Sequence, residues 1–335
     1  MLQSTSIYAV FSFEKITTLL KKTPTSTQVK QYKYNASQIQ TIKLKNISGN
    51  IKIRTHRSQQ TIFINATKQT TNAIYNATYT QKQTSEPFTV NSYIKDNTLF
   101  IQPILPITDS KETIDYHLIV PANTTLFLET NKGSIHTKDT DGMITLTTKH
   151  GNIMCTNTHN SLIATIHQKG SINIELASKP IHATTNKGSI CIYDAKDSIY
   201  ALTQAGKIKV HSLSLPENGY LDLKADNGSI YLYLSQETEA FLHAITLQGT
   251  ITSELPVTID ARTTLLNEDV WHKIKQEVKG SFAQQNSLYP NNQENKQKKQ
   301  DPSSSKSIAI ANPISKSITL KNNKGDIKII DSAHF

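Results

Sequence analysis

The stretch Leu126-Phe-Leu-Glu-Thr-Asn-Lys-Gly-Ser-Ile135, followed by Ile144-Thr-Leu-Thr-Thr-Lys-His-Gly-Asn-Ile153, says the same thing twice. An aliphatic residue is followed seven positions later by glycine, and two positions after that by isoleucine. The phrase recurs as Ile163/Gly170/Ile172, Ile181/Gly188/Ile190, Ile199/Gly206/Ile208, Leu221/Gly228/Ile230 and Leu242/Gly249/Ile251, with outlying copies at Ile42/Gly49/Ile51 and Ile318/Gly325/Ile327. Self-similarity at a fixed period marks a stacked repeat, in which each unit buries its apolar face only against its neighbours.

Successive glycines from Gly133 to Gly249 lie 18, 19, 18, 18, 22 and 21 residues apart. Because the aliphatic-to-glycine interval stays fixed, the extra residues fall in the other half of each unit, after the isoleucine. Within a unit the apolar residues take positions such as Ile181, Ala183, Ile190 and Ile192. Period two on both sides of the glycine predicts two short strands turned to the same interior. The glycine supplies the positive φ of the corner between them.

Asn-Gly corners also suit antiparallel hairpins. A hairpin meander, however, gives no reason for like residues to return in register, whereas strands stacked at about 4.8 Å do. The fold class expected is all-β: a single-stranded right-handed parallel β-helix, a solenoid with rungs of 18–22 residues, right-handed because crossovers between parallel strands take that hand. Seven rungs would build a column on the order of 30 Å tall. Small inner residues at Ala183, Ala201 and Thr165 predict a narrow core.

Outside the array, residues 1–28 form an N-terminal segment, poorly ordered or a short helix. Residues 29–125 hold the first coil and capping strands, with strands expected near 73–80, Phe88–Ile94, Thr98–Ile101 and Ile114–Val120 and a loop at Pro103–Lys111. Residues 126–283 are the repeats. For 267–280 two readings stand, a helix opened by Asn267 or a strand, with Trp271 capping the end of the column. Residues 284–313, rich in Gln, Asn, Lys and Ser, form a polar loop that cannot bury enough apolar surface to fold. Residues 314–335 return as a final coil, since Ile318 to Ile329 nearly copies Ile42 to Ile53.

Of the 335 residues, 36% are hydrophobic, and the formal net charge is +10, which is compatible with a solenoid of polar outer faces. The apolar run from Ile7 to Phe13 has no basic residue before it and no small-residue cleavage site after it, so it is a poor secretory signal. It is also too short to span a bilayer, and no transmembrane segment is expected elsewhere.

No residue set spells a reaction. Carbohydrate-cleaving β-helices need carboxylates that converge from neighbouring rungs. Six places past successive glycines stand Asp139, Asn157, Leu176, Asp194, Ser212 and Leu234, with no acids on adjacent rungs. The expectation is no enzyme, with no catalytic residues and no cofactor. His136, His150, His159, His167, His182 and His211 fall at different offsets and read as solvated surface residues, so no metal set is expected. Asp139-Thr-Asp-Gly142 lacks the rest of a calcium loop and reads as a tight turn. Cys155 and Cys191 face opposite ways two rungs apart, beyond disulfide reach.

One constellation remains. The residues before the glycine on four consecutive rungs are Lys132, His150, Lys169 and Lys187. Such a row suits an anionic ligand, though an ordinary solvated turn has the same composition. It lacks aromatic residues for stacking bases, so no specific nucleic acid is expected.

The run from Asp115 through Val120-Pro121 to Gly133-Ser-Ile135 resembles the lead-in to the repeats of a bacterial putative-adhesin family of unknown function, in which a strand ending in Val-Pro opens into stacked Gly-x-Ile coils. Glu254-Leu-Pro-Val-Thr-Ile and Lys321-Asn-Asn-Lys-Gly-Asp-Ile-Lys-Ile resemble its closing segments, and the likeness covers about Val29 to Ile330. It implies a right-handed β-helix named for adhesion, with no agreed catalytic set. The weak N-terminal signal and the long polar insert depart from the pattern. The function read here is a non-enzymatic, adhesin-like surface binding or scaffolding module at the cell envelope, with an anionic glycan or envelope component as partner. The alternatives are a carbohydrate-active β-helix enzyme, or an intracellular scaffold whose polar loop recruits partners.

Overall fold

Alternating apolar and polar residues draw nearly all of the described chain into strands. The computed structural model describes residues 25–58, 60–71, 88–104, 112–212, 214–259, 276–282 and 316–334. Before the repeats come β1 (Thr25–Asn35), β2 (Thr41–Ser48), β3 (Ile51–His56), β4 (Thr61–Thr71), β5 (Thr89–Lys95), β6 (Thr98–Ile104) and β7 (Glu112–Pro121). The repeats supply β8 (Thr125–Lys132), β9 (Ile135–Thr140), β10 (Ile144–His150), β11 (Ile153–Thr158), β12 (Leu162–Lys169), β13 (Ile172–Ala177), β14 (Ile181–Lys187), β15 (Ile190–Ala195), β16 (Ile199–Ala205), β17 (Ile208–Ser212), β18 (Tyr220–Asn227) and β19 (Ile230–Leu234). Then follow β20 (Ala240–Gln248), β21 (Ile251–Ser253), β22 (Thr258–Ile259), β23 (Gln276–Phe282), β24 (Ser317–Lys324) and β25 (Ile327–Asp331).

Successive strands of the repeats alternate between two sheets, and from β8 to β19 each pairs in parallel with its counterpart in the neighbouring repeat. One sheet runs β22-β23-β20-β24-β18-β16-β14-β12-β10-β8-β2-β6-β5; the other runs β1-β4-β7-β3-β9-β11-β13-β15-β17-β19-β25-β21. The molecule is therefore all-β with two long, mostly parallel sheets, a β-helix-like arrangement. Ile135, Ile153, Ile172 and Ile190 stand opposite one another in register, and all four are fully buried. Ile181, Ala183 and Ile192 join the same core. Burial of such columns stabilises by roughly 25 cal/mol per Å² of apolar surface, while the ladders satisfy the backbone on both sides of every strand inside the two sheets.

The corner glycines have two reasons to be glycine, and the sequence displays only one. The expected positive φ is present, +155° at Gly170 and +151° at Gly188. The second reason is contact: a Cβ on Gly188 would collide with the carbonyl oxygen of Gly170, and one on Gly170 with that of Gly151. At several corners a buried polar residue three places before the glycine ties the corner to its neighbour, although exposed His167 holds that place before Gly170 and Ala225 before Gly228. Oγ1 of Thr148 donates to the Gly133 carbonyl at 3.1 Å, Thr185 to Gly170 at 3.1 Å and Thr203 to Gly188 at 2.9 Å. Asn322 Nδ2 does the same for Gly228 at 2.8 Å. These bonds give each buried hydroxyl, and the Nδ2 of the buried amide, a partner in the interior.

The expected first coil packs directly on the array, β2 against β8 and β3 against β9. On its far side β6 and β5 extend one sheet, and β7, β4 and β1 extend the other, several of them antiparallel. The terminal unit is thereby covered, as a stack of repeats requires.

Packing corrects several expectations. In the Ile163 unit the inward residue is Leu162, and Ile163 is 41% exposed. A bulge between Ile166 and Lys169 takes up one extra residue, so the aliphatic-to-glycine interval is not constant there. Side chains alternate along a strand, and the shift therefore turns Thr165 outward and puts Ala164 in the core. The segment given as 1–28 is already strand from Thr25. Pro103, assigned to a loop, lies in β6 and pairs with Val90. Residues from Gln276 are strand, antiparallel to β20. Residues 1–24, the strand expected at 73–80, residues 267–275 with Trp271, and the polar 284–313 stretch lie outside the described residues.

The largest correction concerns the returning unit. β24 and β25 are not laid on the end of the array; they lie between β18/β19 and β20/β21. Every unit carries the same apolar pattern, so the pattern cannot specify which unit neighbours which.

Candidate anion-binding row

Each of Lys132, His150, Lys169 and Lys187 is the last residue of its strand, one place before a corner glycine. Parallel pairing sets His150 opposite Lys132 and Lys169, and Lys169 opposite Lys187. The row is bounded by Ser48 on one side and by Ala205 and Asn227 on the other. Backbone bonds fix its base: the amides of Gly133, Gly151 and Gly170 donate to the carbonyls of His150, Lys169 and Lys187 at 2.8, 3.0 and 2.9 Å. All four side chains are exposed. Three lysines and a histidine thus follow one line at strand spacing, about 4.8 Å per step, where an anionic polymer can meet several of them at once.

A polar fringe beside the row escaped the sequence reading. Residues just after the glycines accept from the next unit's backbone: Ser134 N donates to Asn50 Oδ1 at 2.9 Å and Ser171 N to Asn152 Oδ1 at 2.8 Å. The signal was the recurrence of Asn and Ser at that offset.

Four of the six positions named six past the glycines prove to be backbone devices. Asp139, Asn157, Leu176 and Asp194 all have φ between +56° and +58°, the left-handed region that favours Asn and Asp over other side chains. They turn the strand so that the small residue after each, Thr140, Thr158, Ala177 or Ala195, is buried. Asn157 Nδ2 donates to Asp139 Oδ1 at 2.8 Å.

The histidines divide. His136, His150, His167 and His182 are exposed as expected, and His159 is half-buried. His211 corrects the surface reading: it is buried and holds Asp194 Oδ1 at 2.8 Å through Nδ1. His159 and Arg57 both pair with Asp141, at 2.9 and 3.5 Å, so the Asp139–Gly142 turn is tied to the first coil. Cys155 is buried and Cys191 half-exposed, on strands separated by β13. Burial pushes the Cys155 thiol up to about 12, which keeps it a small hydrophobe and not a nucleophile.

Cations sandwiched by aromatic rings on the outward faces were also missed. Lys43 Nζ lies 5.5 Å from the Phe100 ring and 5.4 Å from that of Phe127. Lys209 sits 5.5 Å from Tyr193 and 5.0 Å from Tyr233. Residues on neighbouring strands make these contacts, so the sequence lists them as scattered polar positions.

No protein-family model matches the chain, and no curated protein matches it in sequence. Among solved structures it is similar to a putative cell adhesion protein from Clostridium sporogenes ATCC 15579, at 9% identity and TM-score 0.23, covering 91% of this chain and 100% of that one. It is similar to a putative adhesin from Bacteroides fragilis NCTC 9343, at 13% identity and TM-score 0.42, covering 90% and 97%. A putative adhesin from Parabacteroides distasonis ATCC 8503 matches at 11% identity and TM-score 0.29, also covering 90% and 97%. These solved neighbours are bacterial putative adhesins, the family that the Val-Pro lead-in and the Gly-x-Ile units resemble.

Proposed function

We propose that the chain winds as a right-handed, single-stranded parallel β-helix and acts through its surface, as a non-enzymatic, adhesin-like module that binds an anionic glycan or another anionic component of the cell envelope. The observation that carries this reading is the register that lines up Lys132, His150, Lys169 and Lys187 on one exposed edge. A row of like charge at strand spacing raises the local concentration of a polyanion and fits its regular repeat better than scattered lysines would. The resemblance of Asp115–Ile135 to the adhesin lead-in supports the same reading.

The test is calorimetric titration with polygalacturonate, beside a neutral glucan. Binding to the acidic polymer is expected to weaken about tenfold or more when salt rises from about 50 mM to about 200 mM, because exposed charges are screened. The triple change Lys132→Glu, Lys169→Glu, Lys187→Glu should abolish it while leaving the circular dichroism spectrum unchanged. Equal affinity for the neutral glucan, or indifference to the triple change, would sink the proposal. Shortening of the polymer by the purified protein would overturn its non-enzymatic half.

A further inference from the structure

At the C-terminal unit, neighbours in space are not neighbours in the chain. β24 pairs in parallel with both β18 and β20, setting Ile318 opposite Leu221 and Leu242. β25 likewise lies between β19 and β21, with Ile327 opposite Ile230 and Ile251. Both walls of the slot grip the inserted unit. The amide of Gly228 donates to the Lys324 carbonyl at 2.8 Å and that of Gly325 to the Gln248 carbonyl at 2.9 Å. Asn322 Nδ2 donates to the Gly228 carbonyl at 2.8 Å, and Thr246 Oγ1 to the Gly325 carbonyl at 3.1 Å. The residues that the slot reads, Ile318, Leu320, Asn322, Gly325, Ile327 and Ile329, are contiguous within 317–331.

The connectivity favours the chain's own segment only through a long connection. The walls are joined to each other through residues 235–239, whereas the inserted unit arrives through residues 283–316, the longest connection between consecutive described strands. A longer tether lowers the effective concentration of the tethered segment, so an identical segment on another molecule competes for the site. An empty slot would expose four strand edges, those of β18, β20, β19 and β21, and an apolar interior, which demand strands from somewhere.

We propose that the slot between β18/β19 and β20/β21 is an exchange site, open to the 317–331 segment of a second copy of this chain, so that copies join by trading this unit. Exchange preserves every hydrogen bond named above and changes only which molecule supplies it, the condition under which swapped assemblies form readily.

Tyr220 and Ser317 are exposed and stand opposite each other in register, which gives a direct test. In a full-length Cys191→Ser background, one chain carries Tyr220→Cys, a second carries Ser317→Cys and a third carries both. The two single variants are co-refolded from denaturant and treated with a short bis-maleimide. Covalent dimer is expected to exceed that from either variant alone by about tenfold or more, as facing cysteines raise the effective concentration. If the double variant cross-links within one chain while the mixture gives no more dimer than the controls, the unit stays with its own chain and exchange is refuted. Failure of the double variant to cross-link at all would refute the slot itself.

Discussion

At the scale of single residues, the conformation a position demands matters more than its chemistry. Leu176 shows this: φ of +58° puts a branched aliphatic residue in the left-handed region, while the equivalent positions on the neighbouring units hold Asn157 and Asp194. The side chain is 48% exposed, so little burial is lost on replacement. Leu176→Asn is expected to stabilise the protein by about 1 kcal/mol through relief of that strain, read as a higher urea midpoint at unchanged slope. A lower midpoint would mean that Leu176 contributes packing not evident from its exposure. The left-handed positions were visible in the sequence as an Asp, Asn, Leu, Asp series. Their role was not, because a backbone angle has no letter of its own.

At the scale of elements, β23 lies between β22 and β20 near one end of its sheet, and the Glu277 carboxylate adds a side-chain tie to the β20 ladder. Glu277 Oε1 accepts from His243 Nε2 of β20 at 2.9 Å and from Lys279 Nζ at 3.0 Å. Burial alone would raise its pKa; the hydrogen bonds from His243 and Lys279, with the lysine's charge, outweigh it and hold the carboxyl below its ordinary value of 4.5. A group depressed in the folded state contributes stability that is complete above its unfolded pKa and is lost as pH falls through the folded one. Protection factors over 276–282, with the intrinsic exchange rate at each pH divided out, are therefore expected to fall below about pH 4.5, and Glu277→Gln should flatten that dependence. Protection factors of β23 that stay unchanged down to about pH 3 would show that the strand is held by its ladder alone. The sequence left 267–280 between helix and strand because its acids near Asn267 suit one and its alternation from Ile274 the other; pairing with β20 decides for strand from Gln276 onward.

For the whole molecule, strand pairing in the two long sheets runs from unit to neighbouring unit, so stability should be graded along the sheets. Amides of β13, β14 and β15, with several units on either side, are expected to exchange slowest. Those of β1, at the outer edge of its sheet, and of the three-residue β21 should exchange fastest. Mass-resolved exchange checks this, and uniform protection across the chain would contradict a graded stack. The inserted C-terminal unit adds a twist, since protection of β20 and β21 depends on a segment far away in sequence.

The amino-acid sequence by itself determined the local rule of this protein: two strands per unit, a glycine corner, an interior of Ile, Leu and Ala, and a basic residue before four successive corners. Each of these follows from side-chain alternation and backbone freedom, which act over a few residues and so leave a periodic trace. Tertiary structure alone decided the bulge that puts Leu162 inside in place of Ile163, the left-handed turns at Asp139 and its equivalents, the cation-aromatic contacts of Lys43 and Lys209, and the slot occupied by 317–331. Those depend on which strand lies beside which. When every unit offers the same edge, only the energy of the completed assembly can make that choice.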